Sequence, residues 1–420
     1  MSARGRPARW LLLTGTAALT LGGCRSLGPK ALGQTRLQYN EVVKATTEQQ
    51  LLLNIVRLRY LDTPSSLAVS NIAAQFEFAP AAQVVPFFSS AGADVTHSYT
   101  SVLPQGQVGI ADRPTFSLTP LDDQEFTRKL FTPITLEGIL YLAKTTWPIE
   151  TVFRLYLENL NWVSNAQTAS GPTPKEAPVY DDFLRCVQAL QALQDRAQIV
   201  FGMEERVEPA GGPLPGAAVT GADVLEAAKN GLEYRPDEGG ATWTLVRRRL
   251  QPVMRVDPDA IDSPEMQEVA RILKLVPALT KYDITLETLE PFPKTYPTTG
   301  VRSLDLETRS LLQALYFVAQ GVEVPEEHAQ RGLVTVTRDG GGRPFDWHLV
   351  TRGLFRVLSV RGKERPPTAH VAVQYEGYWF YIDDSDTDTK TTFSLLMELA
   401  RLELAGKGGA EPLLTIPLGR

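Results

Sequence analysis

A chain of 420 residues with only two cysteines has to hold its fold by burial, because at most one disulfide is open to it. Cys24 stands directly after a short apolar run near the N-terminus. Cys186 falls in the spacing Phe183, Cys186, Val187, Leu190, Leu193, which places it on the apolar face of a helix. A free cysteine in such a place behaves as a small buried hydrophobe. With 43% hydrophobic residues the chain has the apolar content of an ordinary globular protein. Its length exceeds what one core usually covers, so two or three domains are expected. The formal net charge is −6, and the only basic cluster is Arg247-Arg248-Arg249. Phosphate backbones need concentrated positive charge, so a nucleic-acid partner is not expected. Those arginines lie in the strand-like run Thr242 to Leu250 and read as a solvated edge strand.

The N-terminus carries the strongest functional signal. Arg4, Arg6 and Arg9 precede an uncharged run from Trp10 to Leu21, which is too short for a stable bilayer anchor of about 20 residues. A basic start, a short apolar run and small residues at its end are the parts of a secretory signal. Leu21-Gly22-Gly23-Cys24 resembles the lipobox of bacterial lipoproteins. That resemblance implies cleavage before Cys24 and lipidation of Cys24, the one site residue assigned. Two or more acyl chains hold firmly where a single chain binds reversibly. Arg25, and not an aspartate, follows the cysteine. The resemblance then implies the outer membrane, with the body in the periplasm. Acylation would leave Cys186 unpaired and the fold without disulfides.

The expected organisation is a signal peptide at 1–23, a lipidated tether at 24–36, an N-terminal α+β domain at 37–168, a middle α+β region at 179–300 and a C-terminal α+β domain at 301–420. The pattern predicts a long helix from Leu37 to Tyr60, closed by Asp62-Thr63-Pro64. Ser66 to Leu118 alternates in short runs and predicts β-hairpins. Helices are expected at Asp122 to Phe131, Leu136 to Thr145 and Glu150 to Leu160. The Pro- and Ser-containing stretch Ala169 to Pro178 reads as a linker, and Glu208 to Gly221 as a breaker. Between them a helix is expected from Tyr180 to Phe201, and a later one from Asp305 to Gln320. Phe345 to Val350, Leu354 to Val360, Thr368 to Tyr375 and Tyr378 to Asp383 predict four antiparallel strands feeding a helix from Thr391 to Leu404. The fold class is α+β: helices alternating with antiparallel hairpins, and a C-terminal four-stranded meander packed by a helix.

Few residues offer chemistry. His370 on one strand and Asp383-Asp384 after the next form the sharpest pairing, since a carboxylate can orient a histidine base. A nucleophile is missing from it: Cys186 sits inside a helix, and no Gly-x-Ser-x-Gly elbow occurs. Asp384, Asp386 and Asp388 alternate, but a calcium loop counted from Asp384 would need glycine and glutamate where Thr389 and Leu395 stand. An acidic turn facing the positive end of a helix accounts for the same residues. His97, His328, His348 and His370 show no zinc spacing, and Gly340-Gly341-Gly342 lacks a phosphate-binding context. Neither a metal nor a cofactor is expected.

Glu48 to Leu67, Asp112 to Leu160, Arg309 to His328 and Ala369 to Phe393 resemble segments of bacterial lipoproteins that have no established activity. The resemblance implies an envelope lipoprotein and no mechanism. The expected role is a non-catalytic binding or assembly component with an envelope protein as partner and the membrane as anchor. The alternatives are an envelope hydrolase using His370 with Asp383 or Asp384, and an oligomeric pore built from hairpins in 66–118. Around residue 100, Val95, His97, Tyr99 and Ser101 share one face and Thr96, Ser98, Thr100 and Val102 the other. Neither face is lipid-like.

Overall fold

The structure is a computed structural model, and it describes residues 36–65, 67–73, 76–88, 100–112, 115–120, 124–145, 147–286 and 300–404. The expected signal peptide, Cys24 and the expected tether up to residue 35 lie outside the described residues, as do His97 and the run 95–99. The fold is α+β, as the sequence leads one to expect. The chain divides into two compact units, 1–44 with 65–123 and 405–420, and 45–64 with 124–404. Helix α1 runs over 36–59.

Within the first unit the described elements form one nested hairpin. The inner pair joins β2 (Phe76–Phe88) to β3 (Thr100–Asp112), with Phe76 opposite Asp112 and Phe88 opposite Thr100. The outer pair joins β1 (Leu67–Ala73) to β4 (Thr115–Pro120). The inner strands are 13 residues each and stay in register throughout.

The second unit is built on a seven-stranded mixed sheet in the order β6-β5-β11-β10-β9-β7, with β8 on β9. Its strands are β5 (Leu157–Leu160), β6 (Val163–Ser164), β7 (Ile199–Pro215), β8 (Leu232–Pro236), β9 (Thr242–Val256), β10 (Lys281–Thr285) and β11 (Ser303–Thr308). These come from all three of the stretches 37–168, 179–300 and 301–420. Among the described strands of this sheet, only β10 and β11 pair in parallel. Helices α2 (Gln124–Phe131), α3 (Leu136–Lys144), α4 (Ile149–Tyr156), α5 (Asp181–Asp195), α6 (Gly221–Lys229), α7 (Pro264–Ile272) and α8 (Leu311–Ala319) accompany the sheet. Leu52, Ile55 and Val56 of α1, Phe153 of α4, Phe183 and Val187 of α5 and Met254 of β9 belong to one continuous core.

Several expectations need correction. The helix expected to reach Leu160 ends at Tyr156, and β5 begins at once. Asn165 Nδ2 takes the carbonyls of Arg154 (2.8 Å) and Leu157 (2.7 Å), and the Arg309 amide takes that of Tyr156, so the helix has no carbonyls left to extend on. The helix expected from Asp305 begins only at Leu311, behind β11. A Ser310–Gln313 capping box marks its start. The linker at 169–178 is packed. Pro174 accepts from Thr337 Oγ1 (2.6 Å), and Ala177 and Lys175 exchange backbone bonds with Arg338. The breaker at 208–221 is mostly strand, because β7 is the edge of its sheet and carries Pro209, Pro213 and Pro215 with a register shift between the first two. Arg247-Arg248-Arg249 are solvated as expected but stand on β9, which is no edge strand: β7 pairs it on one side, and β8, up to Arg247, and β10, from Val253, on the other.

The C-terminal part has α9 (Glu326–Gln330) and α10 (His348–Thr351), then a sheet of three strands and not four: β12 (Leu358–Arg361), β13 (Ala369–Tyr375) and β14 (Tyr378–Asp383), with β14 central. The expected first strand is instead a turn and α10. Asp346 Oδ1 accepts from the His348 amide (3.0 Å), and Gly353 at φ +66° closes the helix where a hairpin was expected. Helix α11 (Thr387–Leu404) follows. Among the described residues no helix is long and apolar enough to cross a membrane.

Candidate functional site

The β13–β14 ladder does bring His370 to a carboxylate, and it is Asp384. His370 falls at the register shift between Ala369 and Val371. Its Nδ1 lies 3.4 Å from Asp384 Oδ1. Asp384 is also bound by Lys390 Nζ at 2.8 Å, and that hydrogen bond holds its carboxyl below the usual range. Asp383 turns away, accepting from the Ser385 amide (3.0 Å) and hydroxyl (2.6 Å). Cys186, the only thiol among the described residues, is fully buried in α5, and burial pushes it up, away from the thiolate a nucleophile needs. The His370–Asp384 approach is thus a part-exposed surface contact whose carboxylate is shared with a lysine.

The acidic turn works as a helix cap. Asp386 accepts from the Thr389 amide at 3.0 Å and from its hydroxyl at 2.8 Å, at the start of α11. The Thr389 hydroxyl in turn accepts from the Arg356 amide at 2.9 Å. Asp388 lies in the first turn, where negative charge favours the helix.

Sequence reasoning missed a polar cluster at the end of α1. Tyr60 Oη and His328 Nδ1 stand 2.7 Å apart, and His328 is fully buried. Tyr375 and Phe380 meet the Tyr60 ring edge-on, and Tyr375 donates to Asp62 at 3.2 Å. This cluster fixes the last turn of α1 and so places Arg59, one residue earlier, at an open cleft of about 400 Å³. Gln320, Glu323, Asp346, Trp347 and His348 also line it. Glu323 receives Arg356 Nε (2.8 Å) and approaches His348 Nε2 (3.4 Å), and bonds from His348 and Arg356 hold its carboxyl below the ordinary range. Arg59 has no such partner. One nitrogen donates to the Thr335 carbonyl at 3.2 Å, Nε has no hydrogen bond, and burial pulls the guanidinium down to about 10. An apolar-patterned helix that ends on an arginine is weak evidence in a sequence, which is why the cleft was not foreseen.

No protein-family model, curated protein or solved structure matches the chain.

Proposed function

We propose that the protein is a lipid-anchored, periplasm-facing component of the outer membrane that works without catalysis and assembles through its β2–β3 hairpin. The register of that hairpin carries the reading. Opposed residues share a face, and faces alternate along each strand. The even-numbered positions from Phe78 to Phe88 and from Thr100 to Ile110 include Ala82, Val84, Val102 and Val108, and no charged or amide residue. The odd-numbered positions carry Glu77, Gln83, Gln105 and Gln107. The even face therefore carries no charge or amide over this span, while the odd face mixes those polar residues with Val85, Phe87 and Leu103. Phenylalanines stand at both ends of the apolar face. The ten residue steps between Phe78 and Phe88 span about 34 Å, or roughly 25 Å at the usual tilt of membrane strands. The window around residue 100 hides this pattern, because most of it lies outside the described residues.

That strand length favours an oligomeric pore as the second reading. Pro80, Pro86 and Pro104 share one parity, so all three miss their amide at the same kind of ladder position. Edge pairing between neighbouring hairpins forgoes a bond at each of them, and assembly by the apolar face does not. For the hydrolase reading, the one thiol among the described residues is the fully buried Cys186.

The test is a matched set of charges in the full chain expressed in a diderm bacterium. Val84→Asp and Val108→Asp should abolish crosslinked oligomers in the envelope, while Gln83→Asp and Gln107→Asp should leave them. Equal behaviour of the two faces would sink the proposal. Single-channel conductance from wild-type oligomers in planar bilayers would select the pore; sealed bilayers would select face-wise assembly.

A further inference from the structure

We infer that the face of β9 bearing Arg247 and Arg249 is a contact for the phosphate groups of an anionic phospholipid surface. It goes beyond the hairpin reading and uses no residue of it, since every side chain involved lies in 124–404.

The ladder register sorts the charges of the β7–β9 ribbon into two sets, because opposed residues share a face and faces alternate along each strand. Arg248 points to one side, where it donates to Glu233 Oε2 at 2.8 Å and to Glu205 Oε1 at 2.9 Å. Its charge is balanced there. Arg247 and Arg249 point to the other side, with Arg206 directly opposite Arg249 and Glu208 opposite Arg247. Glu204 and Arg255 of the ribbon and Lys281 and Asp283 of β10 share that side. Two of its three carboxylates are already engaged. Glu204 accepts from Lys281 Nζ at 2.9 Å and faces Arg255 at 4.0 Å, and Asp283 Oδ2 accepts from Arg206 Nη1 at 2.7 Å. Arg247 and Arg249 are exposed, and among the described residues no carboxylate forms an ion pair with either, Glu208 included. Like charges directly opposite one another weaken a ladder, and Arg206 and Arg249 are such a pair. The chain as a whole has a net charge of −6, yet this face keeps a positive excess. A negative partner gains most there.

The geometry selects a surface over a free ion. Two steps along a strand set the Arg247 and Arg249 positions about 7 Å apart. Both guanidinium groups are in water, so one free phosphate between them gains little against solvent and salt. A bilayer leaflet offers many phosphates at once, each matched to the fork of a guanidinium. Every arginine near an anionic leaflet strengthens partitioning about fivefold. A nucleic-acid strand needs more contacts than two free arginines supply.

The experiment uses the full chain carrying Cys24→Ser, so that no acyl chain can hold it to lipid. Vesicles are phosphatidylcholine alone or an equimolar mixture with phosphatidylglycerol, and co-sedimentation is the readout. The difference between the two vesicle types is what counts, because apolar insertion by the hairpin enters both equally. Binding to the mixed vesicles should be at least tenfold stronger at low salt, and high salt should erase the difference. Arg249→Gln should weaken it several-fold, and the double variant Arg247→Gln, Arg249→Gln should abolish it while melting no lower than the parent chain. Arg248→Gln removes an equal charge from the opposite face and should leave it in place. Isothermal titration with millimolar inorganic phosphate should show no saturable binding. The proposal falls if phosphatidylglycerol gives no preference, if the double variant keeps it, or if Arg248→Gln costs as much as Arg249→Gln, since net charge then decides and not the face. It falls too if inorganic phosphate saturates the protein, or if the double variant melts several degrees lower and the arginines are structural.

Discussion

Two buried arginines show how differently one side chain can be used. Arg309 is completely buried, and the structure uses most of its donors. Its guanidinium donates to Ser170 Oγ (2.9 Å), to the carbonyls of Arg154 (2.9 Å) and Leu155 (3.2 Å), and to that of Asn165, and it lies 4.0 Å over the Phe317 ring. Burial pulls it down to about 9, with Glu158 as the opposing charge. Each hydrogen bond to a charged group contributes about 1.5–3 kcal/mol net, and removing the donor strands acceptors that water cannot reach. Arg309→Met should therefore cost on the order of 3–5 kcal/mol, the range for breaking a buried charged contact. The midpoint of urea unfolding would register this, and a loss below about 1 kcal/mol would show that the carbonyls find other donors. Arg59 stands at the other extreme. Its guanidinium makes one hydrogen bond, to the Thr335 carbonyl at 3.2 Å, so its removal should cost the fold far less.

At the scale of elements, the energy of the long β7–β9 ribbon is concentrated at one end. Ile199, Phe201, Met254 and Val256 enter the core, and Phe201 meets Phe153 edge-on with ring centres 5.9 Å apart. Leu214, near the far end of β7, is 42% exposed. Phe201→Ala should accordingly cost about 3–5 kcal/mol. Leu214→Ala should stay within about 1 kcal/mol. Thermal unfolding of the two variants measures the difference, and equal losses would mean that the distal ribbon is packed. The same ribbon shows why parts of the fold were illegible. Proline and glycine at 209–216 read as a breaker because local chemistry does not reveal that β7 is an edge, where a missing amide is tolerated. Helices with apolar faces, such as α5 and α8, were visible from spacing; where they stop was not. Helix α4 ends at Tyr156 because Asn165 donates to the Arg154 and Leu157 carbonyls and the Arg309 amide to that of Tyr156, and Arg309 lies more than a hundred residues away in sequence. The start of α8 was nearer to hand. Ser310 and Gln313 make the capping box, and Ser303 to Leu306 alternate with period two, so both signals stood in the sequence. For the site, the His370–Asp384 approach was legible from hairpin spacing. The Arg59 cleft was not, because α1, α8, α10 and β12 meet there from positions between 59 and 359.

At the scale of the whole molecule, the proposed anchor and the amphipathic hairpin depend on one another. A two-stranded hairpin cannot enter lipid alone, because its outer edges leave backbone groups unsatisfied and each costs several kcal/mol. It needs neighbours. Confinement to a membrane surface supplies them, since tethering turns assembly into an encounter at high effective concentration. An anchor of two or more acyl chains on Cys24 would hold copies there long enough to meet. The expectation is therefore that Cys24→Ser releases the full-length chain from membranes at high salt, as a monomer, with the body still folded. Val84→Asp with Cys24 intact should stay on the membrane and fail only to assemble. Fractionation after a high-salt wash, followed by crosslinking, separates the two defects. A Cys24→Ser chain that remains in the membrane fraction at high salt would refute the lipobox assignment. It would leave the hairpin, and not the cysteine, as the element that holds the protein to the envelope.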